Sequence, residues 1–290
     1  MGKHLNRAKA HFGTDTRRML EGGRYALLHT RSMEFDELRP YVPGDDVRDI
    51  DWKASARSGS VLIKRFVSET HHKIVLVADA GRNMSALTPS GETKRDVATN
   101  ILGAIGLITI GRADQIGLVY GDGRGCVNIP ARRGETHIES MLHRFATHTR
   151  EQQGPSDIGC QLDYVATHYR HPLLLVVVSD EPDVSDRLDE TVTRLRARHD
   201  VLWATVADMP AVTGADDGRD GYDVATGQFV MSGAALGPRI VAAYRRAENE
   251  RTRQLSQFMT THAIPHTTIA GSRDIRPRLV ELTQVFARAG

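Results

Sequence analysis

An α/β fold on a doubly wound, mostly parallel sheet is predicted for residues 69–290, and three observations predict it. Short continuous apolar runs recur, Lys73–Asp79, Leu173–Val178 and Val201–Val206 among them. The segments between them change to helical periodicity: Val97, Ile101, Ile105 and Ile108 fall on one face, as do Leu188, Val192 and Leu195. The two kinds of segment alternate, which is the pattern of a parallel sheet covered by helices on both faces.

Each element follows in order. Residues 1–30 are basic, and Leu5, Phe12, Met19 and Leu20 outline one helix ending near Glu21-Gly22-Gly23. Residues 34–57 form a hairpin turning at Pro43-Gly44-Asp45-Asp46, with 47–52 extended; Val61–Val67 is a strand rich in branched residues. The sheet region then opens with strand 73–79 and helix 92–110. Gln115–Tyr120 is a strand, with Cys126–Ile129 its hairpin partner. Thr136-His137-Ile138-Glu139 reads as a capping box ahead of a helix that buries Ile138, Met141, Leu142 and Phe145. Helix 158–168, strand 173–178, helix 186–198 and strand 201–206 follow. A short hairpin spans 222–231, a long helix covers 238–262, and strand 266–270 and helix 275–288 close the chain. The organisation is therefore an N-terminal basic segment and hairpin over 1–68 and a sheet domain over 69–290.

Composition narrows the function. A chain of 290 residues with 40% hydrophobic and 26% charged residues is ordinary for a globular protein. A formal net charge of +2 and 6% aromatics give neither a field nor a stacking platform for nucleic acid. The longest apolar run, Ile101–Ile110, is shorter than the ~20 residues a bilayer span needs. Cys126 and Cys160 have no metal-ligand spacing, and with no secretory signal at the N-terminus they suit a reducing, cytoplasmic setting.

In open α/β sheets ligands sit at the carboxyl ends of the strands. Two such ends carry polar residues, Asp79 to Ser85 and Ser179-Asp180, and between them Ser156-Asp157 lies ahead of a helix, where a doubly wound fold can bring all three to one edge. They offer hard oxygen donors of the kind Mg²⁺ takes. The arrangement is similar to the metal-ion-dependent adhesion site of von Willebrand factor A domains, an Asp-x-Ser-x-Ser loop with a Thr and a second Asp. The resemblance puts Asp79 at the first Asp, Asn83 at the second Ser, Ser156 at the Thr and Asp180 at the final Asp. Gly81 takes the place of the first Ser, so one ligand is missing. The implied cofactor is Mg²⁺, held by Asp79, Asn83, Ser156 and Asp180.

The block from Glu34 to Trp52, with Ala56-Arg57, Gly59 and Lys64-Arg65-Phe66, resembles the signature of the bacterial family known as domain of unknown function 58. The resemblance implies a von Willebrand factor A-like domain behind the signature. It also implies a companion role beside MoxR-type AAA+ ATPases, in chaperone-like assembly or activation of a client. Arg39, Tyr41, Pro43, Gly44, Asp45, Asp46, Arg48, Asp51, Trp52 and Arg57 are the residues expected to shape the signature or dock a partner. Trp52 is expected to be buried, and whether the charges form an internal network or docking contacts stays open.

The expected function is thus a non-enzymatic protein-interaction module. The alternative is a metal-dependent phosphoesterase or nuclease using Asp79, Asp180 and Asp183, although no general base is evident. Other motifs fall away. Gly121-Asp122-Gly123-Arg124-Gly125 leads into a strand-like run rather than a helix, so it reads as a turn and not a phosphate loop. There is no Walker sequence and no Gly-x-Ser-x-Gly, and the thirteen histidines have no zincin spacing.

Overall fold

The structure is a computed structural model, and it describes residues 2–13, 33–42, 45–68, 73–112, 114–151, 154–210, 220–231 and 237–289. A six-stranded sheet forms its centre. It comprises β3 (Lys73–Asp79), β4 (Gln115–Asp122), β5 (Gly125–Arg132), β6 (Leu174–Ser179), β7 (Asp200–Val206) and β10 (His266–Ile269), in the order β10-β7-β6-β3-β4-β5. All neighbours are parallel except β4–β5, an antiparallel hairpin at one edge. The predicted α/β class with a doubly wound, mostly parallel sheet is the one observed.

Successive strand residues point to opposite faces. Ile74, Leu76 and Ala78 of β3 therefore join one core, while Val75 and Val77 join the other. The first core is closed by α3 (Lys94–Arg112), α4 (Glu135–Glu151) and α8 (Ile275–Ala289), the second by α5 (Ile158–His168), α6 (Asp186–Arg196) and α7 (Pro238–Thr261). Helix α3 is buried nearly all round, which suits the central helix of a layer. Trp203 is fully buried in the second core, and its Nε1 donates to Ser179 Oγ at 3.0 Å.

The N-terminal helix α1 (Lys3–Phe12) is shorter than the sequence suggests. It ends at Gly13, and residues 14–32, with Met19 and Leu20, lie outside the described residues. Leu5, Ala8 and Phe12 are buried in the same core as α3 and α4. The approach is close: a Cβ on Gly103 of α3 would fall 2.6 Å from Ala8 Cβ. A segment assigned by sequence to the N-terminal part thus contributes to the core of the sheet domain.

Strands β1 (Met33–Pro40) and β2 (Leu62–Ser68) pair antiparallel, with a register shift between Phe35 and Glu37. Residues 41–61 form an excursion between them. The expected extended run over 47–52 is absent. Val47–Asp49 is a 3₁₀ turn and Trp52–Ser58 is a helix, α2. The cause is local capping: the Asp46 carboxylate accepts from Arg48 N at 3.0 Å, and the Asp51 carboxylate accepts from Lys53 N at 3.1 Å and Ala54 N at 3.0 Å. The helix ends at Gly59 with φ 71°, a conformation glycine takes without steric cost. Ile50 bridges to Ile63, and both are buried, which pins the excursion to the hairpin.

The remaining hairpin, β8 (Gly221–Tyr222) with β9 (Phe229–Val230), turns around Thr226-Gly227 as read from sequence. Among the described residues no helix is long and apolar enough to cross a membrane.

Candidate functional site

β3 ends in Asp79, whose side chain is fully buried. Its Oδ1 accepts from Gly81 N at 2.9 Å, and its Oδ2 has no hydrogen-bond partner. The chain then makes a 3₁₀ turn over Arg82–Ser85. Arg82 N donates to Gly154 O at 2.8 Å and Asn83 N to Ser156 Oγ at 3.2 Å, so the turn is stitched to the loop before α5.

That loop is itself held by the β4–β5 hairpin. Asp122 Oδ2 accepts from Gly154 N at 3.1 Å, and Gly123 N donates to Pro155 O at 2.8 Å. The Arg124 guanidinium pairs with the Asp122 carboxylate at 2.6 Å. Burial works against the Asp122 charge, but Arg124 and the amides of Arg124 and Gly154 outweigh it and hold the carboxyl below its usual range. The glycine-rich stretch 121–125 is therefore a hairpin turn that positions Ser156.

From the next strand, Asp180 follows β6 and is almost fully buried. Its Oδ2 accepts from Asn83 Nδ2 at 2.8 Å. The structure thus brings Asp79, Asn83, Ser156 and Asp180 to one strand-end centre. Asp183 stands apart: its side chain is 94% exposed and faces Arg251 at 3.6 Å.

Two residues of the centre carry no motif in the sequence. Lys94, the first residue of α3, is 1% exposed. Its Nζ lies 3.9 Å from Asp180 Oδ2 and contacts Asp208 Oδ1 more closely. Asp208 sits just beyond β7 and is part-exposed. A lysine at a helix start is a detectable anomaly, because the helix dipole favours anions there.

Burial raises Asp79 to about 7, and the nearby Asp180 carboxylate adds to the rise; the Gly81 amide, Ser156 and Lys94 oppose it. Asp180 is also raised, by burial first, against Lys94 and the Asn83 amide.

As donors for Mg²⁺ these residues do not fit. A buried acceptor, Asp79 Oδ2, is free, but Asp180 Oδ2 already receives an amide donor and faces an ammonium. Mg²⁺ demands near-octahedral oxygen ligands. The vacant ligand place at Gly81 is closed as well: a Cβ there would lie 2.5 Å from Ser156 Cα and 2.6 Å from Ser156 N. Among the described residues, no group of three or more His, Cys, Asp or Glu gathers that could hold a metal ion.

In the signature, Arg39 pairs with Asp45 at 2.6 Å, and Asp45 also accepts from Val42 N at 2.9 Å. The Arg39 hydrogen bond leads the effects that hold the Asp45 carboxyl below its usual range. Tyr41 N donates to Val61 O at 2.9 Å, tying the two ends of the excursion. Asp46 and Asp51 are caps, as described. Arg48 and Arg57 are exposed, with Arg57 Nε near Lys53 O at 3.3 Å. Pro43 and Gly44 lie outside the described residues. Trp52 corrects the expectation of burial: as the first residue of α2 it is 66% exposed, and Ile50 and Ile63 supply the buried contact that anchors the excursion.

The thiols of Cys126 and Cys160 are both free; burial pushes Cys126 up to about 11 and raises Cys160 as well, which disfavours the reactive thiolate at both.

Fold and site together define an α/β domain with a buried polar centre at the carboxyl ends of its strands. The chain belongs to the family described as Protein of unknown function DUF58, whose model matches residues 37–219. It is 28% identical over 191 residues to uncharacterised proteins of Mycobacterium tuberculosis and Mycobacterium bovis, a match covering 66% of this chain and 60% of theirs. Among solved structures it is similar to an aerotolerance-related membrane protein from Bacteroides fragilis, with TM-score 0.46, 11% identity, and coverage of 75% of this chain and 99% of that one. It is also similar to a von Willebrand factor type A protein from Catenulispora acidiphila, with TM-score 0.43, 11% identity, and coverage of 79% and 44%.

Proposed function

We propose that the chain is a non-enzymatic protein-interaction module that partners a MoxR-type AAA+ ATPase in chaperone-like assembly or activation of a client complex. One observation supports the signature as the docking element. Four apolar side chains of its excursion face solvent: Trp52 is 66% exposed, Val47 60%, Val42 55% and Val61 44%. Single exposed apolar residues are ordinary, but several on one short excursion mark an interaction surface. The carboxylates of Asp45, Asp46 and Asp51 are engaged by local donors, while Arg48, Lys53 and Arg57 are exposed. The excursion therefore offers apolar contacts with a cationic rim, suited to an apolar surface edged by acids. The cytoplasm is the proposed setting.

The test is calorimetric binding to a purified MoxR-type ATPase of the same organism. Trp52→Ala is expected to weaken binding at least ~10-fold, about 1.4 kcal/mol. Equal affinity of wild type and Trp52→Ala, or no binding at all, overturns the docking role. Turnover of a phosphodiester that vanishes in Asp180→Ala would replace this reading with a hydrolytic one.

A further inference from the structure

We propose that the strand-end centre works without a metal, with the Lys94 ammonium as its resident cation and Asp208 as an internal carboxylate ligand to that cation. Lys94 is among the largest fully buried side chains, at 1% exposure. Burying a lone ammonium is costly unless it is paired and hydrogen-bonded. The α3 N-terminus adds to that cost, since the positive end of the helix dipole disfavours a cation there. Something must compensate, and the only carboxylates in contact with Lys94 among the described residues are Asp180, at 3.9 Å, and Asp208.

The rest of the centre is arranged around a cation with N–H donors rather than a bare ion. The Asn83 side chain turns its Nδ2 toward Asp180 Oδ2, at 2.8 Å. The Gly81 position, where a metal would need another oxygen, has Ser156 backbone where its side chain would be. An ammonium has three donors and no acceptor, so it satisfies carboxylates from several directions without fixed octahedral ligands.

Asp208 completes the arrangement. It reaches the centre from the segment after β7, and its side chain is 42% exposed while the Lys94 side chain it contacts is 1% exposed. The next residue is tied down, Met209 N donating to Leu87 O at 3.0 Å, and Arg82 donates to Ala225 O at 3.2 Å, which brings the β8–β9 hairpin to the turn after Asp79. This inference concerns the strand-end centre and stands apart from docking by the signature.

The experiment titrates the wild-type chain with MgCl₂ and MnCl₂ by calorimetry and by melting temperature. No binding heat and no melting shift, with none on EDTA treatment, are expected; saturable binding of either ion overturns the proposal. A double-mutant cycle between Lys94→Met and Asp180→Asn gives an independent readout. The double variant is expected to regain part of the stability that Lys94→Met loses, because the stranded carboxylate is then neutral. Strict additivity overturns the pairing. An amine-reactive label read by peptide mass spectrometry tests the outer ligand. Lys94 is expected to be protected in the wild type and to label several-fold faster in Asp208→Ala. An unchanged rate overturns the role of Asp208, and the titration and the labelling decide even if Lys94→Met fails to fold.

Discussion

The Glu139 carboxylate accepts hydrogen bonds from the backbone N–H groups of His4 and Leu5, each at 2.9 Å. A residue on α4 therefore caps the N-terminus of α1. The sequence places Glu139 in a capping box with Thr136, but α4 begins at Glu135 and Thr136 lies inside it. The Gly2 N-cap has no side chain to satisfy its own helix, and Glu139 from α4 supplies the acceptor instead.

Replacing this cap should loosen α1. Glu139→Ala is expected to cost about 1–2 kcal/mol, the range for lost N-caps and charge at a helix start. The check is urea unfolding together with amide exchange, which should speed up at residues 4–8 before the sheet strands respond. Unchanged exchange in α1 would mean that packing of Leu5, Ala8 and Phe12 alone holds the helix.

Restoring the missing serine of the adhesion motif should harm the protein. Gly81→Ser would push its Cβ into the Ser156 backbone. A destabilisation of about 1–3 kcal/mol is expected, as for other overpacked sites. Thermal melting decides it. A variant as stable as wild type would show that the loop before α5 can yield.

Asp79 gives a pH dependence with a definite sign. Its folded pKa is raised to about 7, by burial and then by Asp180, against about 3.9 for an unfolded Asp. Between these values the native state binds the extra proton, so stability is full below about pH 4 and falls as pH rises through 7. Asp79→Asn should remove this slope and melt higher than wild type at pH 8, each 1 kcal/mol recovered giving about 2–4 °C. Parallel melting profiles for the two proteins between pH 4 and 8 would remove Asp79 as the titrating group.

Trp52→Ala should leave stability within about 0.5 kcal/mol, as a surface substitution does. The measurement is the urea midpoint. A loss in the range of about 3–5 kcal/mol, typical of a buried aromatic, would place the ring in a core instead.

The fold was legible because it rests on period. Continuous runs such as Leu174–Ser179 and helical spacing such as Leu188, Val192 and Leu195 report burial directly. The strand-end rule likewise points to Asp79 and Asp180. The excursion after β1 imitates a strand because Val47, Asp49 and Asp51 alternate with Arg48, Ile50 and Trp52. A different signal was present: Asp51 ahead of Lys53-Ala54-Ser55-Ala56, with Gly59 behind, is a capped helix.

By itself the sequence determined the α/β class, the order of its elements, the family signature and the loops in which polar residues would meet. Those follow from local periodicity and from short patterns, which need no knowledge of distant contacts. Only the tertiary structure decided which charges meet. Glu139 caps a helix more than 130 residues away, Lys94 lies against Asp180 and Asp208, and Trp52 faces solvent. Partners so far apart in the chain are chosen by packing and by the need to pair buried charge, and neither leaves a periodic trace in the sequence.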